Sequence, residues 1–173
     1  MKSLWKNNFK PLITDTPKDI IQYQCSSLNE ITKGVIVARI TEYAEPIFPY
    51  IRKGPINAVA GALGDKKVIA QDSLGEVPGG GFTFEFHISS IATPNYKYRI
   101  LFLQYNTEVY PAMIVMDETI AQELQLEQYV SCANQEDFES VLEKILNSKK
   151  VGHVISALLG NAEKEQRASV QPQ

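Results

Sequence analysis

Between Phe82 and Leu159 the apolar residues change period from two to helical, and no other feature of the chain constrains its fold as much. From Phe82 to Ile88 they alternate: Phe82, Phe84, Phe86 and Ile88 share one side, and Thr83, Glu85, His87 and Ser89 the other. That is the period of a half-buried strand. Further on, Phe138, Val141, Leu142, Ile145 and Leu146 fall at i, i+3, i+4, i+7 and i+8, and so do Val151, Val154, Ile155, Leu158 and Leu159. Each set gives a helix with one apolar stripe that must be buried on something. The phenylalanine face of the strand is the natural partner for both.

The rest of the chain fits around this pair of signals. Thr16, Pro17 and Asp19 make a helix start, with an N-cap, a proline at the first helical position and an acid in the first turn. Ile21, Cys25, Leu28 and Ile31 continue it, and Gly34 stops it. Val35 to Tyr43 reads as a β-branched strand. Residues 46–81 carry Pro46, Pro49 and Pro55 and yield only a short helix over Pro55 to Leu63, a short strand over Lys67 to Ala70 and a glycine-rich loop. Tyr96 to Tyr105 is apolar on both sides in its middle, as a central strand should be. Asn106-Thr107 offers a tight hairpin into a strand over Val109 to Met116, where Pro111 requires an edge or a bulge. Asp117 opens a short helix, Tyr129 to Cys132 forms a further strand, Asn134 caps one helix and Ser148 the next, and Gly160-Asn161 ends the last. The expectation is an α+β fold, an antiparallel β-meander packed against an N-terminal helix and a C-terminal helical hairpin. Residues 1–13 form a lead-in, 14–161 a single domain, and 162–173 a flexible polar tail.

With 173 residues, 44% of them hydrophobic and 21% charged, the chain has the composition of an ordinary globular protein. A net charge of −3 argues against nucleic acid as a partner. No apolar run approaches the roughly 20 residues of a membrane helix. Residues 1–11 lack a secretory apolar core, so the cytoplasm is the expected compartment. Cys25 and Cys132 are far apart and without metal spacing, so they read as buried free thiols.

One constellation could carry chemistry. If Ile88 lies opposite Tyr96, then His87 faces Lys97 and Glu85 faces Arg99. A carboxylate, an imidazole and two cations on one sheet face would suit acid–base attack on a phosphodiester, with His87 or Glu85 as base and Lys97 and Arg99 holding phosphate. Opposite charges across a strand pair also serve plain sheet stabilisation, at roughly 0.2–1 kcal/mol each.

Other features are weaker. His153 lies on the polar flank of the last helix with no ligand-spaced neighbours. Val77-Pro78-Gly79-Gly80-Gly81 precedes a strand and lacks the Lys-Ser/Thr of a phosphate loop, and Gly61 to Lys67 fails the same test. Arg52-Lys53 and Lys66-Lys67 are too few for a phosphate-tracking groove. Glu136, Asp137, Glu139 and Glu143 form an acidic stripe that either meets a basic partner or is simply solvated. Tyr96, Tyr98, Tyr105, Tyr110 and Tyr129 offer aromatic contact area. No cofactor and no metal is expected. The function read from this set is a cytosolic, non-catalytic protein–protein interaction module: an adaptor, an accessory subunit or an immunity-type protein. Its partner would be another protein, and a homo-oligomer is open. The alternative is a small nuclease or phosphodiesterase working through Glu85, His87, Lys97 and Arg99.

Overall fold

Thr16 sets the first element. In the computed structural model, which describes residues 15–47 and 81–170, its hydroxyl accepts from Asp19 N while the Asp19 carboxylate accepts from Thr16 N, a reciprocal capping box. Helix α1 (Pro17–Ile31) follows, buries Ile21 and Cys25, and ends before Gly34, whose φ of 79° only glycine adopts freely.

Five strands come next, with two breaks: β1 (Ile36–Glu42), β2 (Phe82–Ser90), β3 (Tyr98–Tyr105), β4 (Ala112–Met116) and, after the short helix α2 (Glu118–Leu124), β5 (Tyr129–Cys132). They form one antiparallel sheet in the order β1-β2-β3-β4-β5. Helices α3 (Gln135–Leu146) and α4 (Lys149–Val170) close the described chain. The fold is α+β, a meander with helices at both ends of the sequence, as the periodicities require.

One face of the sheet is covered by the helices. Phe84, Phe86 and Ile88 share a core with Ile21 and Cys25 of α1, Phe138, Leu142 and Ile145 of α3, and Val151, Val154 and Leu158 of α4. Complete burial of each large apolar side chain contributes about 1.5–3 kcal/mol. The other face carries rows of cross-strand partners. Thr41, Glu85, Phe102, Val115 and Tyr129 run in register across all five strands, and Arg39, His87 and Arg99 form a second row beside them. Phe102, Val115 and Ile47 are buried there, with Tyr43 and Tyr129 against them.

Several expectations are corrected. Ile88 lies opposite Tyr98, not Tyr96, His87 lies opposite Arg99 rather than Lys97, and Glu85 lies opposite Phe102 rather than Arg99. The register slips because β3 carries an extra residue: Phe86 pairs with Leu101 and His87 with Arg99, leaving Ile100 between them. Both Ile100 and Leu101 are therefore buried on the helix-covered side. The hairpin into β4 is longer than Asn106-Thr107, because Val109 has a positive φ of 73° and Pro111 offers no N–H, so pairing begins at Ala112. Phe82, though in phase with Phe84, is 48% exposed at the start of its strand. On α4 it is Val154 and Leu158 that are buried, while Ile155 is half-buried.

Helix α4 does not stop at Gly160-Asn161 but continues to Val170. A glycine stop of the usual kind takes a left-handed conformation, whereas Gly160 does not have a positive φ. Ala162 is buried one turn beyond Leu158, so the helix still has a covered side past Gly160-Asn161. The readings for Pro55 to Leu63, Lys67 to Ala70, Arg52-Lys53, Lys66-Lys67 and Val77 to Gly80 lie outside the described residues, as do 1–14 and 171–173.

Candidate functional site

The β3 bulge does more than shift a register. Phe102 points to the face of the sheet opposite the helices and Leu101 to the helix-covered one, so strict alternation would send Arg99 under the helices. The extra residue at Ile100 resets the phase and places Arg99 on the outer face, opposite His87 and within reach of Glu85. Lys97, just ahead of the strand, arrives at the same carboxylate from the β2–β3 connection. The four residues named from sequence are thus brought together, although the pairing that was to do it is different.

Glu85 is the hub. Lys97 Nζ donates to its Oε1, and Arg99 donates to Oε2 through Nε at 2.8 Å and through Nη2 at 2.8 Å. Thr41 Oγ1 lies 3.5 Å from Oε1. The Arg99 guanidinium is also flanked by rings, its carbon 4.7 Å from the Phe102 centroid and 5.4 Å from that of Tyr43. Such stacking suits the flat, weakly hydrated guanidinium better than it would a lysine. His87 Nδ1 is buried, makes no hydrogen bond and lies 3.9 Å from Glu85 Oε1.

The electrostatics follow from this geometry. Burial alone would raise the Glu85 carboxyl, but hydrogen bonds and charge from Lys97 and Arg99 outweigh it and hold the group below its ordinary value. His87 is lowered by burial first and by the nearby Lys97, against the opposing pull of Glu85, with Arg39 and Arg99 adding to the decrease. At neutral pH the set is therefore an ionised carboxylate, two cations bound to it, and a neutral imidazole. As a general acid Glu85 is disfavoured by its depressed pKa, and as a base its oxygens already accept from two cations. For Lys97 and Arg99 to hold a phosphate, they would have to exchange it for Glu85.

The remaining candidates separate. His153 is exposed on α4. Both cysteines are buried free thiols, pushed up to about 11 by burial. Of the tyrosines, Tyr96 is exposed, Tyr105 is buried, and Tyr98, Tyr110 and Tyr129 are half-buried. Asp137 works for its own helix: its N–H donates to Asn134 Oδ1 at 2.9 Å and its Oδ2 accepts from Ala133 N at 3.2 Å. Glu136, Glu139 and Glu143 instead face a groove shared with α1. Sequence reasoning found that acidic stripe but not the opposite wall, Asp15, Asp19, Ile20 and Tyr23. Their approach depends on how two helices distant in sequence pack, which no local pattern encodes.

Among the described residues no cluster of three His, Cys, Asp or Glu side chains is arranged to hold a metal, and no helix is long and apolar enough to cross a membrane. Comparison with protein-family models, with curated proteins and with solved structures found no match.

Proposed function

We propose that this chain is a non-catalytic protein–protein interaction module, an adaptor, accessory subunit or immunity-type protein that acts in the cytoplasm. The observation that carries the reading is the closed ion cluster on the outer sheet face. The groups with the best claim to acid–base chemistry bind one another: Lys97 and Arg99 both donate to the Glu85 carboxylate. Such a cluster orders the β2–β3 connection and positions side chains without offering a poised base or a free phosphate clamp. The net charge of −3 favours a protein partner over nucleic acid.

The test is in-cell crosslinking of the tagged protein at natural expression, with mass-spectrometric mapping of the crosslinked residues. The reading expects one stoichiometric partner protein whose capture is unaffected by His87→Ala. Recovery of the chain alone, or joined only to itself, would count against it.

A second reading keeps one observation on its side. His87 is neutral at pH 7, and its Nδ1 has no hydrogen-bond partner. A phosphodiesterase using His87 as base, with Lys97 and Arg99 released from Glu85 by substrate, would lose turnover in a folded His87→Ala variant. Turnover retained by that variant would end this alternative.

A further inference from the structure

The acidic face of α3 is exposed but not flat. It forms one wall of a groove of about 890 Å³ whose other wall is the first half of α1. Ile20, Leu142 and Leu146 contribute apolar surface to it. Tyr23, also lining it, is 71% exposed. Five carboxylates stand around these side chains, Asp15 and Asp19 from the α1 side and Glu136, Glu139 and Glu143 from α3, and among the described residues no Lys or Arg lines the groove.

Two of the bland explanations for these acids fall short. The dipole of α3 favours Glu136 in its first turn, but that effect fades within a turn and does not reach Glu139 or Glu143. A solvated helix face normally mixes both signs, and the lysines of α1 and α3 do not line the groove. Lys18 of α1 sits 4.8 Å over the Phe84 ring, and Lys144 does not line the groove. The five carboxylates also exceed the net charge of the whole chain, −3, so everything outside the groove sums to +2. Negative charge is concentrated on the concave, partly apolar surface, where it repels itself unless something positive is bound.

We propose that the α1–α3 groove docks a basic amphipathic segment of a partner protein, with apolar side chains against Ile20, Tyr23 and Leu146 and Lys or Arg side chains toward Asp15, Glu136, Glu139 and Glu143. The inference rests on the interaction reading above and names the partner's chemistry. Along α3 the lining spans twelve residues, from Gln135 to Leu146. At 1.5 Å per residue that accommodates about three turns of helix. Helix-in-groove docking with apolar anchors at i, i+3 or i+4 and i+7 suits such a length. Anionic partners, nucleic acid and acidic membrane surfaces among them, are repelled by the same field.

The test uses the full chain and two labelled synthetic peptides of fifteen residues. Both carry leucine at helical spacing, one with lysine and one with glutamate at every other position, and binding is read by fluorescence anisotropy. The lysine peptide is expected to bind at least tenfold more tightly than the glutamate peptide, and to weaken severalfold between 50 and 300 mM salt (roughly the range over which screening of exposed charge sets in). In the triple variant Glu136→Lys, Glu139→Lys, Glu143→Lys the preference between the peptides should invert. All three positions are exposed, and circular dichroism verifies that the variant is folded; Tyr23→Ala provides a second probe that leaves the charge intact and should weaken the lysine peptide alone. Equal binding of the two peptides, or lysine-peptide binding untouched by the charge reversal, overturns the inference. So does a groove closed by a second copy, seen as a concentration-dependent dimer that the reversal dissolves. A natural partner whose crosslinks fall outside α1 and α3 would overturn the groove assignment while leaving the interaction reading in place.

Discussion

Replacing Glu85 by glutamine keeps the shape of the side chain and removes the charge that holds two cations together. The carboxylate-bearing side chain is only 8% exposed, whereas Arg99 is 30% and Lys97 44% exposed. The two contacts therefore differ in strength. The Arg99 contact, two donors at 2.8 Å beside aromatic rings, belongs with charge-assisted hydrogen bonds that contribute about 1.5–3 kcal/mol. Lys97, half in solvent, belongs with surface pairs at about 0–1 kcal/mol. Glu85→Gln should then cost about 2–3 kcal/mol, which for a chain of this size lowers the melting temperature by roughly 5–10 °C. Urea denaturation of Glu85→Gln, Arg99→Gln and the double variant isolates the pair, since Arg99→Gln alone also removes the ring contacts. A coupling of about 1.5–2.5 kcal/mol is expected for Glu85 with Arg99, and below about 1 kcal/mol for Glu85 with Lys97. The pH dependence carries its own sign. The folded-state pKa of Glu85 is depressed, so its stabilisation is complete above the ordinary carboxylate range and disappears as pH falls through the folded value. Wild type and Glu85→Gln should converge in acid. A Glu85–Arg99 coupling under about 0.5 kcal/mol would refute the reasoning, because it would place the cluster among ordinary surface pairs.

Other consequences are as direct. His87 is likewise lowered in the folded state, so the unfolded chain takes up its proton first and stability should decline as pH falls below 6.5; chemical denaturation from pH 7.5 to 5 should show a shallower decline for His87→Gln. Leu142→Asp places a charge without partner in the core shared by α3 and the sheet and should abolish the cooperative melt, whereas Ile155→Asp, at a half-buried position, should melt cooperatively at lower temperature. Thr16→Ala removes the acceptor for Asp19 N and should cost about 1 kcal/mol by urea titration, with Thr16→Ser nearly neutral.

What could be read from the residues, and what could not, divides along physical lines. Caps, stops and apolar stripes are local, and Thr16, Gly34, Phe138 and Leu142 each stand where their neighbours in sequence dictate. Register is not local. Nothing in Tyr96 to Tyr105 marks Ile100 as an extra residue, since a bulge shows only when the partner strand is laid beside it. The run Ile100-Leu101-Phe102-Leu103 did carry a trace of it: four large apolar residues in succession fit a strand buried on both faces or one whose phase changes, and here both hold. The end of α4 departs from its local signal for a different reason. Glycine followed by asparagine favours a stop, but propensity of about 1 kcal/mol yields to packing, and Ala162 packs.

The bulge also links the two surfaces on which function could rest. By returning Arg99 to the outer face it lets a single carboxylate bind two of the cations of that face, so these three charges engage one another. In the α1–α3 groove, by contrast, five carboxylates line the surface and none of the described lining residues is Lys or Arg. Charge already matched within the fold stabilises it and recruits little, while charge left unmatched on a concave, partly apolar surface favours association with an opposite sign. An interaction partner should therefore be sensitive to substitutions at Glu139 or Glu143 and indifferent to those at Glu85 that leave the chain folded. The reverse pattern, with Glu85 decisive and the groove silent, would move the functional surface to the sheet and restore the case for chemistry there.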